Sequence, residues 1–567
     1  MTERLASVGF LLAMAIAAAL LLWEARGTTI TVDEWSWGFA ARTDFDLDAF
    51  VEPHNGHFQA VMVLLTKGAL QVFGADAGLP LRVVAVAVHL ATAGCVFLLM
   101  RQAIGAVAAL APSVLVLFLG AAHDGIVGSH GMSVTITVLT GLAAWLAIQR
   151  RATAWDVVAA ALLTIGAATE TTIMPFVLGA AAMIALDRES PRSRYWVVAV
   201  PVAVYALWWL GWGHTEESDV AIANFAALPA FAFDALAAAL GSIAGVFTVT
   251  GSRTAGFALG PGQALAGGLL MVTLFLALDR RYRPGIASAA PMVALLSFWL
   301  MISGVASPDR QPWSSRFIYI SVVLLLLVLA TEIAASPARR KAAAILSCVC
   351  ALSLLPNIRE ITYAGDGARE QAEVNKAVMG AADLLGAGAP PAVLLEDPND
   401  QVAGQLVDLA FPLERYRASS RRFGAPTYSL PQIEAAGPVA RGAVDRLLAR
   451  ALSIEVAPVE RGPRPLPPVG AKQTGGVLER ARGCVRYVPL VSGAQVNLEL
   501  PAGGLWIRPA AGPPVPIGAR RFDDGFGIDA GQALGGRPSL LALPPRPASG
   551  GWRAQLIPGQ PLLLCAA

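Results

Sequence analysis

Apolar runs of spanning or near-spanning length recur along the first 356 residues and then stop. A helix that crosses a bilayer needs about 20 apolar residues. The run after Arg4 lacks a convincing small-residue cleavage site before Glu24, so it favours a span over a signal peptide. The pattern predicts eleven membrane spans, near 5–23, 82–100, 106–122, 132–149, 155–169, 172–187, 195–212, 262–279, 286–305, 317–334 and 342–356.

Two more apolar stretches, 57–74 and 228–251, are predicted as helices in the membrane interface. Lys67 and Gln71 interrupt the first stretch. A span at the second would reverse every later loop and place its arginine clusters outside, against the positive-inside rule. We therefore expect both helices on the outer side.

Basic residues assign the orientation. With the N-terminus inside, the short inner loops hold 13 of the 20 Lys and Arg residues of residues 1–356. This distribution predicts a cytoplasmic N-terminus and an external C-terminus. The outer side then holds 15 of the 21 acids and five of the six histidines (His54, His57, His123, His130 and His214), whereas His89 lies in a span. We expect polar chemistry on the outer side.

Composition supports a chain in two parts. Hydrophobic residues make up 55% and charged residues 14%, which excludes a single soluble domain and a disordered chain. The first 356 residues carry 41 of the 82 charges, and the 211 that follow carry the other 41. The net charge is +2, without a basic run interleaved with aromatics, so nucleic acid is not an expected partner.

The second part is predicted to be water-soluble. Its expected layout is an α/β segment over 357–458, a Pro-rich link over 459–475 and a β-rich module over 476–567. The predicted elements are helices near 368–386, 399–411 and 439–453, a strand at 392–396, and strands near 485–490, 494–500, 505–508 and 552–557, the last four suggesting a small β-sandwich. Cys484 and Cys565 bracket the β-rich module and would form a disulfide in an oxidising exterior.

The first outer loop holds the strongest candidate chemistry. Asp33 and Glu34 come soon after the first span, beside Trp35 and Trp37, which suit the headgroup level. Adjacent carboxylates at the membrane surface suit a general base that meets a lipid-borne substrate. The alternative is a cap at the start of a short interfacial helix.

The segment from Glu52 to His57 reads Glu-Pro-His-Asn-Gly-His. His54, Asn55 and His57 could donate hydrogen bonds to phosphate oxygens or sugar hydroxyls. Glu34, His54 and His57 are also the candidate ligands of a possible divalent cation. The alternative is a hydrogen-bonded turn without a ligand.

These features resemble the GT-C glycosyltransferases, integral membrane enzymes that use polyprenyl-phosphate sugars at the outer leaflet. The resemblance rests on VDEW, PHNGH, a surface helix ending Val72-Phe73-Gly74, and the number of spans. The acidic pair is similar to the Asp-Glu of protein O-mannosyltransferases. Gly56 and Phe58 stand where a related bacterial pattern has Glu and Arg.

The resemblance implies roles for the candidate residues. Asp33 would be the base that takes the acceptor proton, and Glu34 would position the acceptor or a cation. Arg316, with Phe317 and Tyr319 similar to an Arg-Tyr pair of the family, would stabilise the departing phosphate.

Further candidates lie in other outer loops. His123 and Asp124 are expected to contact substrate or a metal, or else to form a loop turn. Glu170 is expected at the outer surface or in a functional site, because a carboxylate is costly in hydrocarbon. Arg310 and Arg253 are weaker candidates for the phosphate, and His89 is expected to bond a neighbouring span.

The sequence therefore predicts a polytopic α-helical membrane glycosyltransferase of about eleven spans in a bacterial plasma membrane. Its donor would be a polyprenyl-phosphate-linked sugar, and its acceptor a cell-envelope glycan, lipid or protein. The alternatives are a transporter or flippase of lipid-linked glycans and an inactive scaffold. The β-rich module would bind the growing glycan or cap the active-site cleft.

Overall fold

The chain divides into two compact units, Met1–Arg369 and Glu370–Ala567. The computed structural model describes the chain except residues 1, 31, 40–46, 129–130, 188, 190, 217–219, 248–258, 279–285, 308–309, 387–389, 391, 396–411, 461–470, 523–524, 526 and 545–549. The expected sites at His130 and Arg253, the loop arginines at 280–283 and the predicted helix near 399–411 therefore lie outside the described residues.

The first unit is helical throughout its described part. Its helices are α1 (Thr2–Glu24), α2 (Val32–Phe39), α3 (Leu47–Val51), α4 (Ala60–Phe73), α5 (Gly78–Ile104), α6 (Ala106–Leu117), α7 (His123–Ile126), α8 (Met132–Ile148), α9 (Thr153–Ala167), α10 (Met174–Leu186), α11 (Trp196–Gly211), α12 (Leu228–Ala244), α13 (Leu259–Leu278), α14 (Ala289–Gly304), α15 (Ser315–Ala335) and α16 (Arg339–Leu352). A further helix, α17 (Leu354–Leu384), begins in this unit and ends in the second.

The apolar helices are those of a membrane protein. In the described part of the chain, six helices are long and apolar enough to cross a membrane, or seven if the bent pair Ala106–Leu117 and Gly120–Ile126 is one span. Five more apolar helices have 10–17 residues. Each of the eleven predicted spans coincides with an apolar helix, but several are shorter than a full crossing requires.

Contacts between loops define one end of the helix bundle, which we call the site face. The backbone N–H of Val61 donates to Ala168 O, and that of Ala221 donates to Gly304 O. Asn357 Oδ1 accepts from the N–H of Ala121, while its Nδ2 donates to Ser242 O. These contacts bring together the loops that the sequence places outside.

Two apolar helices lie along the site face instead of crossing the bundle. Before α12, Ala221 is tied to the end of α14, and near the end of α12, Ser242 is tied to Asn357. Helix α4 begins beside Ala168, and the start of α5 that follows it packs on the backbone of Thr29. The stretch Ile222–Ala244 is apolar enough to span, but both its ends contact the same face, as the interfacial prediction for 228–251 requires.

The other end of the bundle, the opposite face, carries much of the positive charge. The guanidinium of Arg339 donates to Ala103 O, that of Arg194 donates to Ile148 O, and Arg101 pairs with Glu3. Arg150 and Arg151 follow α8 at the same end. The distribution is the one that positive-inside loops would give.

The second unit begins with helices and continues as a β-sandwich. Helices α18 (Leu413–Phe423), α19 (Leu430–Ala435) and α20 (Pro438–Leu452) follow α17. The described part of the predicted strand 392–396 forms only an isolated bridge between Leu394 and Pro412. Within the predicted α/β segment 357–458, the described residues are mostly helical, and its extended parts are that bridge and the strand Val456–Pro458.

The sandwich consists of two antiparallel sheets. Its strands are β1 (Val456–Pro458), β2 (Lys472–Thr474), β3 (Gly476–Ala481), β4 (Cys484–Pro489), β5 (Gln495–Glu499), β6 (Gly503–Pro509), β7 (Val515–Arg520), β8 (Ile528–Ala533), β9 (Ser539–Leu543), β10 (Arg553–Leu556) and β11 (Leu562–Ala566). The strand orders are β1-β9-β6-β11-β4-β3 and β2-β5-β10-β7-β8. Alternate residues of β7 and β9 are buried, as expected for strands that cover a core on one face.

Cys484 and Cys565 form a disulfide that joins β4 to β11 across a separation of 81 residues. The paired sulfurs pack against Trp506, and Trp552 and Tyr487 are also buried in the sandwich. The bond therefore closes most of the module into one loop and ties its last strand to an early one.

We expect Cys565→Ser to destabilise the β-sandwich by about 2–5 kcal/mol, because an open chain has more unfolded conformations. Thermal unfolding of the purified full chain, with and without reductant, measures the effect. Cys348→Ser is the matched control, since Cys348 is a free, exposed cysteine. A reductant-sensitive transition that persists in Cys565→Ser would contradict the assignment.

Candidate functional site

A buried ion pair anchors the short helix α2 at the site face. Glu34 is 0% exposed, and its Oε1 lies 3.5 Å from Nη1 of Arg82, which is also buried, on α5. Arg82 also donates to Thr29 O at 3.0 Å, just beyond the end of α1. Glu34 thus fixes α2 against α5, and its expected role of positioning the acceptor or a cation stays a prediction.

Asp33 precedes Glu34 and is open to solvent. Its side chain is 36% exposed, and its Oδ1 lies 3.7 Å from Nε2 of His54. The ring of His54 packs edge-on against Trp37, whose indole N–H donates to the side chain of Gln59. The expected base and the first histidine of the PHNGH segment are therefore neighbours.

The His54–His57 segment is a tight hairpin turn. His54 and His57 exchange both backbone hydrogen bonds, at 3.1 and 3.0 Å. Asn55 and Gly56 have φ values of 51° and 75°, the conformation of a type I′ turn, which favours Asn-Gly. The N–H of Gly56 donates to the carboxylate of Glu216. Glycine at 56 thus serves the turn, and both imidazoles are held side by side.

Phe58, the second departure from the related pattern, also has a structural role. Its ring stacks on Trp208 with centroids 5.0 Å apart. The indole N–H of Trp208 donates to Val51 O at 2.7 Å, so this stack holds the two ends of the segment around the turn on α11.

A hydrogen-bond chain orients the ring of His57. Its Nδ1 lies 2.8 Å from Oγ1 of Thr171, which lies 2.9 Å from the hydroxyl of Tyr205. Thr171 opens the turn between α9 and α10, and Tyr205 lies on α11. Because Nδ1 is engaged by Thr171, Nε2 is the ring nitrogen available to a ligand.

Charged groups from two other connections, α9 to α10 and α14 to α15, act on His57. Burial lowers the pKa of its imidazole below the ordinary value of 6.5; Glu170 raises it, and Arg310, Arg316 and His54 lower it further. Glu170 accepts a hydrogen bond of 2.6 Å from Ser133 Oγ. The expected candidates Glu170 and Arg316 therefore share an electrostatic environment with His57, and Arg310 joins them.

A third histidine of the site face, His123, lies between two carboxylates. His123 Nε2 is 3.3 Å from Asp124 Oδ1, and its Nδ1 is 3.9 Å from Oε1 of the buried Glu360 on α17. The N–H of Asp124 donates to Ser315 Oγ at 3.0 Å. Asp124 is therefore adjacent to the start of α15, where Arg316 is exposed and its guanidinium lies over the Phe317 ring.

This arrangement has the groups that a transfer reaction at a phosphate needs. An accessible carboxylate can accept a proton, neutral imidazole can donate or accept hydrogen bonds, and two arginines can bind phosphate oxygens. Within the described residues, no group of three or more His, Cys, Asp or Glu side chains is arranged to hold a metal ion.

Several contributors were not singled out from the sequence: Arg82, Thr171, Tyr205, Glu216 and Glu360. Arg82 carried a signal, since it is a positive charge at the outer end of a predicted span, where the positive-inside rule disfavours one. The other four are ordinary loop or helix residues whose roles depend on contacts more than 30 positions away. His89 bonds Tyr319 and Leu117 O, as expected for a structural histidine.

No family model matches the chain, and no curated protein matches it. The chain is similar to ArnT from Cupriavidus metallidurans bound to undecaprenyl phosphate, with 12% identity, a TM-score of 0.41, and coverage of 74% of this chain and 89% of that chain.

We expect Arg82→Met to lower the free energy of unfolding by about 3–5 kcal/mol, because it removes the guanidinium that compensates the buried charge of Glu34. Thermal unfolding of the purified chain measures the loss, and Glu34→Gln combined with Arg82→Met should recover part of it. The control is Arg101→Met, which removes an exposed ion pair with Glu3 worth about 0–1 kcal/mol. Equal losses in the two single variants would contradict the anchoring role.

Stability should also depend on His57 in acid. Since its folded pKa lies below 6.5, the unfolded chain binds the proton more readily, and the fold loses stability as the pH falls below 6.5. We expect His57→Gln to reduce the acid-induced fall in melting temperature. His214→Gln, which alters an exposed histidine, is the control. An unchanged pH profile in His57→Gln would refute the prediction.

Proposed function

We propose that this chain is a membrane glycosyltransferase that moves a sugar from a polyprenyl-phosphate donor to a cell-envelope glycan, lipid or protein. The observation that supports it is the gathering of Asp33, His54, His57, Glu170 and Arg316 on the site face. The positive charge of the opposite face supports placing the site face on the outer side of a bacterial plasma membrane.

In the proposed reaction, Asp33 is the general base. Its carboxylate takes the proton of the acceptor hydroxyl while the hydroxyl oxygen attacks the anomeric carbon of the sugar. The bond from that carbon to the phosphate oxygen breaks, and the electron pair leaves with polyprenyl phosphate. Attack opposite the leaving group inverts the anomeric configuration. The 36% exposure of Asp33 supports its access to an acceptor.

The departing phosphate gains negative charge at its bridging oxygen, so it needs cations or donors nearby. Arg316 and Arg310 would supply charge, and Nε2 of His57 would supply a hydrogen bond from a neutral ring. Burial keeps the pKa of His57 low, which supports a neutral donor at ordinary pH. His54 and Asn55 would contact the sugar or the phosphate from the turn, and His123, Asp124 and Glu170 would contact the substrate from the neighbouring loops.

Glu34 has a positioning part in this proposal. Its pairing with Arg82 holds the first turn of α2, and the preceding residue is Asp33. No step is assigned to a divalent cation.

The test is transfer from radiolabelled polyprenyl-phosphate sugars to cell-envelope extract, in membranes that contain the wild type or Asp33→Asn. We expect lipid-dependent transfer by the wild type and a loss of about 10²–10⁴-fold in the variant, the range for removal of a general base. Asp76→Asn is the matched control, an acid of the short helical turn after α4 and outside the cluster.

Transfer that survives in Asp33→Asn at equal expression would reject Asp33 as the base but keep the enzyme class. If no donor in the panel supports transfer and the chain still binds labelled lipid-linked glycan, the transporter or inactive scaffold would replace the proposal. Reconstituted vesicles distinguish these two, because only a transporter moves the glycan between leaflets.

A further inference from the structure

A cavity of about 550 Å³ lies within the opposite face. The proposed transfer uses residues of the site face only, so it does not account for this cavity. Its walls come from the ends of α5, α8, α10, α14 and α15 that lie away from Asp33. Pockets that bind small molecules occupy about 300–1,000 Å³, so the volume suits a ligand more than a packing defect.

The lining changes from apolar to polar along the helix axes. Leu99, Trp145, Met183 and Leu327 lie three or more residues before the ends of their helices. The indole N–H of Trp145 donates to Phe176 O at 3.0 Å, which fixes that wall. Gln149, Arg151, Asp187 and Arg194 lie at or beyond helix ends and line the cavity as well. Such a gradient fits an amphipathic ligand.

The charges at the polar end are already paired. Arg194 binds both carboxylate oxygens of the buried Asp156, at 2.6 and 2.9 Å. Arg151 pairs with Asp187 at 3.1 Å and also with Glu189. Among the described residues that line the cavity, Arg151 and Arg194 thus leave no excess of positive charge for a free multivalent anion. A headgroup that carries both a phosphate and an ammonium would match Arg151 and its carboxylates.

Exposed aromatic side chains indicate that the polar end of the cavity lies at the level of the lipid headgroups. Trp155 follows Arg151 by four residues, and Tyr195 and Trp196 follow Arg194 directly; all three are exposed. Tryptophan and tyrosine collect at the headgroup level of a bilayer. Leu186 both lines the cavity and is 45% exposed, so the cavity wall reaches the outside of the helix bundle.

We infer that this cavity binds a zwitterionic phospholipid of the leaflet at the opposite face. An acyl chain lies against Leu99, Trp145 and Met183, and the phosphate and ammonium of the headgroup contact Arg151 and Asp187. The lipid fills the cavity between the ends of the five helices. It is neither the donor nor a product of the proposed transfer.

The test is native mass spectrometry of the full chain, purified in detergent with added phosphatidylethanolamine. We expect the wild type to retain a stoichiometric lipid and Ala182→Trp to lose it, because the indole fills the cavity beside Met183. Ala19→Trp, on the exposed surface of α1, is the matched control and should retain the lipid. Equal retention by wild type and Ala182→Trp would overturn the inference.

A second measurement avoids dependence on one bulky variant. Phosphatidylglycerol and polyprenyl phosphate are offered in competition with phosphatidylethanolamine, and the retained lipid is identified. We expect the wild type to keep phosphatidylethanolamine and Asp187→Asn to lose that selection, with an unchanged elution volume. Displacement of the zwitterionic lipid from the wild type by either competitor would overturn the inference. Because neither variant touches the site face, failure here leaves the transferase proposal standing.

Discussion

The geometry of the site face depends on the ion pair between Glu34 and Arg82. Both side chains are buried, where unpaired charge is costly, so each holds the other in place. Helix α2 has only eight residues and could not maintain its position by intrinsic helix stability. The ion pair holds α2 against α5, and the hydrogen bond from Trp37 to Gln59 also holds α2 in place. The buried side chain of Glu34 therefore fixes the backbone from which the partly exposed side chain of Asp33 extends.

Local rigidity in the next part of the site comes from the backbone. The Asn55–Gly56 turn places His54 and His57 opposite each other across a two-residue hairpin. Each imidazole has a different partner. His54 faces Asp33, while His57 is tied to Thr171 and receives the field of Glu170, Arg310 and Arg316. The turn therefore connects Asp33, through His54, with the arginines that act on His57. A flexible loop would not hold these groups in a fixed geometry.

The two ends of the helix bundle differ in chemistry. At the site face, α4 and α12 lie along the surface, and the loops between helices meet through side-chain and backbone hydrogen bonds. At the opposite face, arginines pair with nearby carboxylates or helix-end carbonyls around an amphipathic cavity. A polar reaction and a bound lipid can therefore occupy one chain without competing for the same groups.

The sequence by itself determined the features that follow from local pattern. Apolar length predicted where the membrane helices lie, alternation predicted four of the eleven sandwich strands that the structure describes, and two isolated cysteines predicted their own pairing. Tertiary structure alone decided that Glu34 pairs with Arg82 and that Glu360 lies beside His123. Hydropathy describes only the free energy of transferring each residue out of water. Which charged groups become partners depends on helices packed together from distant parts of the chain.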